Sequence, residues 1–476
     1  MNNTVNIPTG VFTLDGLTAR NMGLSCPAAF SPAQHDPLLH QLLTPQHIAT
    51  WQFEQLRRIV ATARKHSSYY RHSLRKVEPD MLQARENLPL LPFTEPHALR
   101  NDPMSLLCTS QDEVARVVTL STSGTSGNPK RLFFSQTDLD ATVEFFTWGM
   151  QSVGNAGDTV MALLPDERPS SVGRLLATAL ENARMRPVSG ILTHGGAALA
   201  RQAYAEGVRV IVGSPAHVRH LAMAWLAAEL PKDAIHTVLL CWDTVPETVA
   251  GLIRHAFGCR VLTHWGMTET GLGGALSCGD EGMHLREADL LAEIIDPQTG
   301  TPLPDGNEGE LVITTLRRTA MPLIRYRTGD LATILPDACS CGSPLRRIRS
   351  GKGRIHGAKQ LPSGELLYPA DLDNILLPLP HLYDYTARWN PQLGAPLHIS
   401  LWPDPQRPAD SLMLEKQAAS ALAASPLLEP LAKAQGITLQ IEGPVSQANF
   451  TKRRIFSSLH ASTPPLNGDI DHEHAV

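Results

Sequence analysis

The sequence predicts an α/β protein. It has a large N-terminal domain with parallel sheets covered by helices plus a small antiparallel region, then a small α+β C-terminal domain. Three observations predict this. Short apolar strands alternate with helical stretches from Val114 to Leu240, which suits a mainly parallel sheet covered on both faces. Apolar runs between residues 286 and 335 are joined by the turn Asp296-Pro297-Gln298-Thr299-Gly300, the mark of antiparallel pairing. The chain has 476 residues, more than one hydrophobic core usually supports.

In order along the chain, residues 1–45 mix Pro, Thr and Asn without periodicity and read as an irregular arm. Trp51 to Lys65 places Phe53, Leu56, Ile59, Val60 and Ala63 at helical spacing, with Arg57, Arg58 and Arg64 off that stripe. Val117-Val118-Thr119-Leu120 reads as a strand that runs into a Ser/Thr/Gly loop. Thr159–Leu164, Val208–Val212 and Thr237–Leu240 read as strands, and Leu221–Leu230 as a helix. Leu290–Ile295 and Glu310–Thr315 are strands of the antiparallel region. Ser350-Gly351-Lys352-Gly353-Arg354 is a Gly-rich basic connector, which sets the large domain at 46–350 and the small one at 354–460. The small domain is expected to hold a helix around Leu412–Gln435 and a strand at Ile437–Ile441. The polar, acidic tail 461–476 reads as disordered.

Composition excludes several classes. Lys plus Arg total 41 against 46 Asp plus Glu, a net charge of −5 without basic tracts, which argues against a nucleic-acid binder. No run of about 18 uncharged apolar residues exists, so no membrane-spanning helix is expected. Met1 to Gly10 lacks the basic and apolar regions of a signal peptide, so a cytoplasmic location is expected. Seven Cys, an odd number, then point to reduced thiols or metal ligands.

The strongest local signal is Ser121-Thr122-Ser123-Gly124-Thr125-Ser126-Gly127-Asn128-Pro129-Lys130. Glycines let the backbone approach a polyphosphate, hydroxyls and N–H groups donate to its oxygens, and Lys130 adds a positive charge. The Gly-Lys-Ser/Thr ending of a Walker loop is absent. An ordinary Ser/Gly surface loop is the competing reading of this stretch.

This loop resembles the nucleotide-gripping motif of the adenylate-forming superfamily of acyl-CoA synthetases. Trp265-Gly266-Met267-Thr268-Glu269 is similar to its aromatic-Gly-Met-Thr-Glu motif, and Tyr326-Arg327-Thr328-Gly329-Asp330 matches its Tyr-Arg-Thr-Gly-Asp motif in full. Leu91-Pro92-Phe93-Thr94, Tyr69-Tyr70-Arg71 and Gly282-Met283-His284-Leu285 resemble the phenylacetate–CoA ligase branch. The resemblance covers about residues 50–456 and implies that ATP activates a small carboxylic acid, of aryl or arylacetic type, as acyl-AMP. CoA then takes the acyl group. It also implies roles: the loop 121–130 for the β- and γ-phosphates, Thr268 for the α-phosphate, Glu269 for Mg²⁺, Trp265 near adenine and Asp330 for the ribose diol. Gly266 and Met267 line the nucleotide, Arg354 reaches it, and the small domain acts as a mobile lid. A homodimer is compatible with this reading.

Three departures from that pattern stand out. Trp265 replaces the usual Tyr. Trp242-Asp243 stand where small residues and Glu are common, and with His264 they are assigned to the acyl pocket. Pinning Arg454 to the motif Arg of the C-terminal Gly-Lys-x-x-Arg pattern puts Thr451 at the Lys position, leaving Lys452 as the substitute. The Asp expected after Gly353-Arg354 is also missing. Two rivals follow: a ligase that passes acyl-AMP to an amine or other non-CoA acceptor, and a catalytically weakened nucleotide-binding scaffold.

Cys339-x-Cys341 forms a knuckle-like turn, and Cys278 and His284 lie six residues apart upstream. Three Cys and one His make a complete tetrahedral zinc set. The branch has members with such a set in these surroundings, so a closed structural Zn²⁺ site is expected. The competing reading is four unrelated side chains.

Overall fold

The computed structural model describes residues 13–24, 43–120, 128–190, 195–404, 411–443 and 453–457. A two-stranded antiparallel pair, β1 (Val114–Leu120) and β2 (Lys130–Ser135), flanks one large sheet. That sheet holds β3 (Thr159–Leu163), β4 (Arg186–Ser189), β5 (Val208–Gly213), β6 (Thr237–Leu240), β7 (Arg260–Trp265), β8 (Ala275–Leu276) and β9 (Met283–Leu285). It continues through β10 (Leu290–Ile295), β11 (Glu308–Thr315), β12 (Tyr326–Leu335) and β13 (Arg347–Arg354). The strand order is β10-β11-β12-β13-β9-β8-β7-β6-β5-β3-β4.

The five strands β4-β3-β5-β6-β7 are parallel and linked by helices at Val172–Asn182, Gly195–Ala205, Pro215–Ala227 and Glu247–Phe257. The inner strands β3, β5 and β6 carry apolar runs without alternation because both faces are covered; all four residues of β6 are buried. From β7 onward the pairing is antiparallel. The antiparallel region anticipated at 286–335 therefore extends the parallel sheet. The order reverses at β3, which has β4 on one side and β5 on the other. Open α/β sheets bind ligands beyond the carboxyl ends of strands near such a point.

Two smaller sheets follow: β14 (Lys359–Gln360) with β15 (Leu366–Leu367), and the order β18-β17-β16-β19. These last strands are β16 (Leu382–Trp389), β17 (Leu397–Pro403), β18 (Ile437–Ile441) and β19 (Ile455–Ser457). Their buried residues, among them Tyr385, Leu397 and Ile455, join the same apolar core as Leu221, Ile253 and Phe257 of the large sheet's helices.

The helix anticipated around Trp51–Lys65 spans Pro45–His66. Thr44 Oγ1 accepts from the His47 N–H at 3.2 Å, Pro45 fits the first turn, and Arg64, Lys65 and His66 suit the last one. Three expectations need correction. Residues 1–45 are not irregular throughout, because Thr13–Asn21 is a helix. Thr13 to Ala19 are all buried, polar residues included, so no amphipathic stripe announces it. Ser350–Arg354 is not a free connector but the end of β13, with Asp330 opposite Arg354. The stretch Leu412–Gln435 is two helices, Ser411–Ala424 and Glu429–Lys433, broken near Pro426, which cannot supply a helix N–H. The tail 461–476 lies outside the described residues.

Candidate active site

A cleft of about 1550 Å³ opens at the carboxyl ends of the parallel strands, where the topology predicts a ligand. Leu164 after β3, Val212 and Ser214 at the end of β5, Cys241 to Thr244 after β6 and His264 to Glu269 at the end of β7 all line it. Lys130, Arg327 to Asp330 and Arg354 line it as well, so residues of all three motifs meet at one cavity. Ser121, Thr122, Ser123, Gly124, Thr125, Ser126 and Gly127 lie outside the described residues, as does Lys452.

At the polar end, Lys130 Nζ lies 3.0 Å from Glu269 Oε1. Tyr326 Oη donates to the same oxygen at 2.9 Å, and Lys130 Nζ donates to Tyr326 Oη at 3.0 Å. Glu269 is 3% exposed and Lys130 8%. Burial alone would raise the Glu269 pKa, but the Lys130 and Arg354 charges more than reverse that and bring it down to about 2. Burial beside this anion pushes Tyr326 well above its ordinary value, so the phenol stays a donor. Arg318 holds the turn from outside: its Nη1 donates to the Glu269 carbonyl at 2.6 Å and its guanidinium lies 4.1 Å from the Phe134 ring.

The short turn Thr268–Thr270 ends at Gly271, whose φ of +74° suits glycine. Gly266 is required for a different reason. A Cβ there would come 2.5 Å from the Leu272 carbonyl oxygen.

Asp330 sits beside a β-bulge. Gly329 has φ +76°, its N–H donates to Glu310 Oε1 at 3.1 Å, and the β12–β13 register shifts between Asp330 and Ala332. Such a bulge re-aims a side chain, and Asp330 turns toward the cleft. Its Oδ2 accepts from Trp265 Nε1 at 3.1 Å and its Oδ1 from Arg354 Nε at 2.9 Å. The Asp330 charge raises the Arg354 pKa further. Trp265 and Asp330, read separately from two motifs, are thus in direct contact.

The other end of the cleft is apolar. Phe145, Phe146 and Met150 from the helix Gln136–Val153, Leu176 from Val172–Asn182, and Leu239, Leu272 and Leu276 line it, with Trp242 and His264 at its edge. Trp242 adopts φ +80°, an uncommon conformation for a bulky residue. Asp243, assigned from the sequence to the acyl pocket, lines the cleft and also reaches the small domain. Its Oδ2 accepts the Arg453 backbone N–H at 2.9 Å. The Arg453 side chain pairs with Asp373 at 3.2 Å and Asp384 at 2.5 Å. Arg219 adds donors to the carbonyls of Tyr383, Leu377 and Leu382. Sequence reasoning missed this clamp, Tyr326 and the apolar lining. Only Tyr326 had a signal, as the first residue of a motif valued for its last.

Outside the cleft, Cys278, His284, Cys339 and Cys341 bring their donor atoms within 4.8 Å of one another. Cys278 Sγ lies 3.6 Å from Cys339 Sγ, and Cys341 Sγ 3.3 Å from His284 Nε2. His284 Nδ1 is 3.1 Å from the Leu345 carbonyl. As a donor there it leaves Nε2 bare toward the thiols, the arrangement a metal-ligating imidazole needs. The Cys341 thiol, donating to Cys278, pulls the Cys278 pKa below its ordinary range. Three soft sulfur donors and one imidazole fit a tetrahedral Zn²⁺.

Residues 60–317, more than half of the chain, match the family of AMP-binding enzymes. The chain belongs to this family. Among the curated relatives of this AMP-binding enzyme, a phenylacetate–coenzyme A ligase of Thermus thermophilus is 29% identical over 352 residues, 72% of this chain and 78% of that protein. One of Pseudomonas putida is 29% identical over 350 residues, 70% and 76% of the two. Among solved structures, a 2-hydroxyisobutyryl-CoA ligase in the postadenylation state, in complex with 2-HIB-AMP, has a TM-score of 0.74 at 20% identity, over 88% of this chain and 91% of its own. Likeness at that identity speaks for a shared fold.

Proposed function

We propose that this chain is an AMP-forming acid–CoA ligase. The observation that carries the reading is one cleft with two chemically opposite ends, a polar end built from Lys130, Glu269, Asp330 and Arg354 and an apolar arm beyond Trp242. The relatives named phenylacetate–coenzyme A ligase support it, and an aryl or arylacetic acid fits the arm.

In the first step a carboxylate oxygen of the acid attacks the α-phosphorus of ATP, the bond to the pyrophosphate oxygen breaks, and acyl-AMP forms. In the second, the CoA sulfur attacks the acyl carbon, AMP leaves with the former carboxylate oxygen, and the thiol proton goes to solvent. Both steps gain from positioning and from fixed charge near the phosphates. The loop 121–127 and Lys130 hold the β- and γ-phosphates, and Thr268 meets the α-phosphate. Trp265, Gly266 and Met267 form the adenine wall, Asp330 accepts the ribose hydroxyls, and Arg354 and Lys452 add charge.

Glu269 suits Mg²⁺, which is commonly held by one or two carboxylates plus substrate phosphates, because its pKa of about 2 keeps it ionised. Bound there, the ion would neutralise phosphate charge. Cys278, His284, Cys339 and Cys341 would hold a structural Zn²⁺. Residues 46–350 form the catalytic body and 354–460 the lid, with the Arg453 clamp setting one orientation of that lid.

The test is pyrophosphate release over a panel of carboxylic acids, with and without CoA. Release that needs an acid and yields acyl-CoA supports the reading. Release indifferent to CoA, with acyl transfer to an amine, favours the other acceptor. Silence with ATP still bound leaves a nucleotide-binding scaffold.

A further inference from the structure

The helix Thr13–Asn21 precedes the residues that match the family, yet Thr13 to Ala19 are all buried. It packs on the helix Gln136–Val153, which forms one wall of the apolar arm. Helical spacing separates the two jobs of that wall. Phe145, Phe146, Gly149 and Met150 line the arm. Glu144, Trp148 and Ser152 recur every four residues, which makes them neighbours along an adjoining face, and all three meet the N-terminal helix. Thr13 Oγ1 donates to the Trp148 carbonyl at 2.5 Å and shares a hydrogen bond with Ser152 Oγ. Arg20 pairs with Glu144 at 2.8 Å. Gly16 sits so close to Trp148 that a Cβ there would come 2.6 Å from ring carbon Cζ3. Leu14 and Leu17 share one apolar cluster with Phe145, Met150 and Leu276.

The short helix is itself anchored. Ser343 Oγ donates to Asp15 Oδ1 at 2.5 Å, and Ser343 follows the turn that carries Cys339 and Cys341. Asn21 Nδ2 donates to Asp289 Oδ2 at 3.3 Å, next to the start of β10. The arm wall is therefore backed by a helix that is tied to other parts of the large domain.

We propose that the helix Thr13–Asn21 is a brace that sets the depth of the acid arm, with Gly16 and Asp15 as positioning residues for acid selection. Neither residue lines the cleft: Gly16 acts through Trp148, and Asp15 acts through Ser343. The occupant of the arm rests on the ligase reading. The nucleotide side is held separately. Lys130, Glu269, Asp330 and Arg354 all lie on other elements, and the front half of the wall helix is pinned where Thr142 Oγ1 donates to the Gly271 carbonyl at 2.9 Å. A disturbance at Trp148 is thus felt by the acid and not by ATP.

The test follows pyrophosphate release by wild type, Gly16→Ala and Asp15→Ala with aryl acids that carry zero, one, two or three methylenes between ring and carboxyl group. The methyl of Gly16→Ala must move Trp148 or its helix by about 1 Å, and a misplacement of that size can cost about 10²-fold even far from the chemistry. Both variants are expected to change the kcat/KM ratio between adjacent members of the series by at least about tenfold, with the KM for ATP near its starting value. A helix that only adds stability would lower the thermal midpoint and leave that ratio alone. A smaller change of ratio in either folded variant, or a KM for ATP that moves as far as the acid preference, overturns the brace and leaves the ligase reading standing. If circular dichroism shows that one variant does not fold, the other decides. If neither folds, Thr13→Val, which removes only the hydroxyl on the Trp148 carbonyl, decides by the same ratio. If no acid drives release in the wild type, the ligase reading fails. Calorimetric binding of the series then decides the brace alone: an order of affinities that the variants change upholds it, and an unchanged order or no binding ends it.

Discussion

Glu269→Gln should change how stability depends on pH. The variant keeps the shape of the side chain and removes its charge. In the native protein the Glu269 pKa stands at about 2 against an ordinary 4.5. At about 1.36 kcal/mol per pH unit, that gap makes the ionised carboxylate worth about 3 kcal/mol of folding stability. The sign follows from the direction. A depressed native pKa stabilises the fold above the unfolded value of 4.5, and this stabilisation is lost as pH falls toward 2. Linkage places about 2 kcal/mol of the loss above pH 3. Glu269→Gln cannot titrate, and it leaves Lys130 buried beside a neutral amide, which is itself destabilising. Urea unfolding followed by tryptophan fluorescence at pH 7 and pH 3 gives the comparison. The variant should be about 3 kcal/mol less stable at pH 7, and the gap should narrow by about 2 kcal/mol at pH 3. A gap that is the same at both pH values would refute the idea that a Lys130-paired carboxylate sits here.

Four further outcomes are expected. Asp330→Asn keeps the side-chain shape but loses the charge facing Arg354 and one acceptor; it should raise the KM for ATP about tenfold in pyrophosphate-release kinetics while leaving the KM for the acid near its starting value. Lys452→Ala should lower acid-dependent pyrophosphate release by at least about 10²-fold, the scale of a lost transition-state contact, and an unchanged rate removes Lys452 from the mechanism. Elemental analysis should find one zinc per chain, reduced in Cys339→Ser; a content well below one in the wild type, or no loss in the variant, removes the metal. Trp242→Gly relieves a φ of +80° by about 1–2 kcal/mol but opens the cleft, so it should lower kcat/KM for small acids more than it changes the thermal midpoint.

The loop 121–130 could be read from its own chemistry, since glycines, hydroxyls and a lysine together suit a phosphate. Glu269 and Asp330 could be read only through the resemblance of their motifs, and the folded chain adds why Asp330 follows Gly329: a bulge at that spot needs the one and aims the other. Cys278, His284, Cys339 and Cys341 were legible as a donor set partly from residue type and partly through the same resemblance. The apolar arm was not, because Phe145, Met150 and Leu276 follow the same periodicity as residues of a filled core. The helix Thr13–Asn21 was hidden by burial on every side. The clamp around Arg453 was hidden by distance along the chain. Asp243, Asp373, Asp384 and Arg453 come from four separate segments, and only the folded chain brings them together.

The end of β7 is where the two halves of the proposed chemistry are tied together. Its pleat sends Trp265 to Asp330 and His264 to Phe145, so neighbouring residues face the nucleotide side and the acid side. Consecutive strand residues advance only about 3.3 Å, which fixes the separation of the two sites without any loop having to set it. The turn that follows is held equally firmly, by Gly266 against Leu272 and by Arg318 on the Glu269 carbonyl. Gly266→Ala therefore tests the coupling directly. Its new Cβ would meet a backbone oxygen at 2.5 Å and a His264 carbon at 2.9 Å, so the strand end has to shift. Both the KM for ATP and the preference among acids should change together in this one variant. If only one of them moved, the two sites would be positioned independently and the shared strand would not be what sets their spacing.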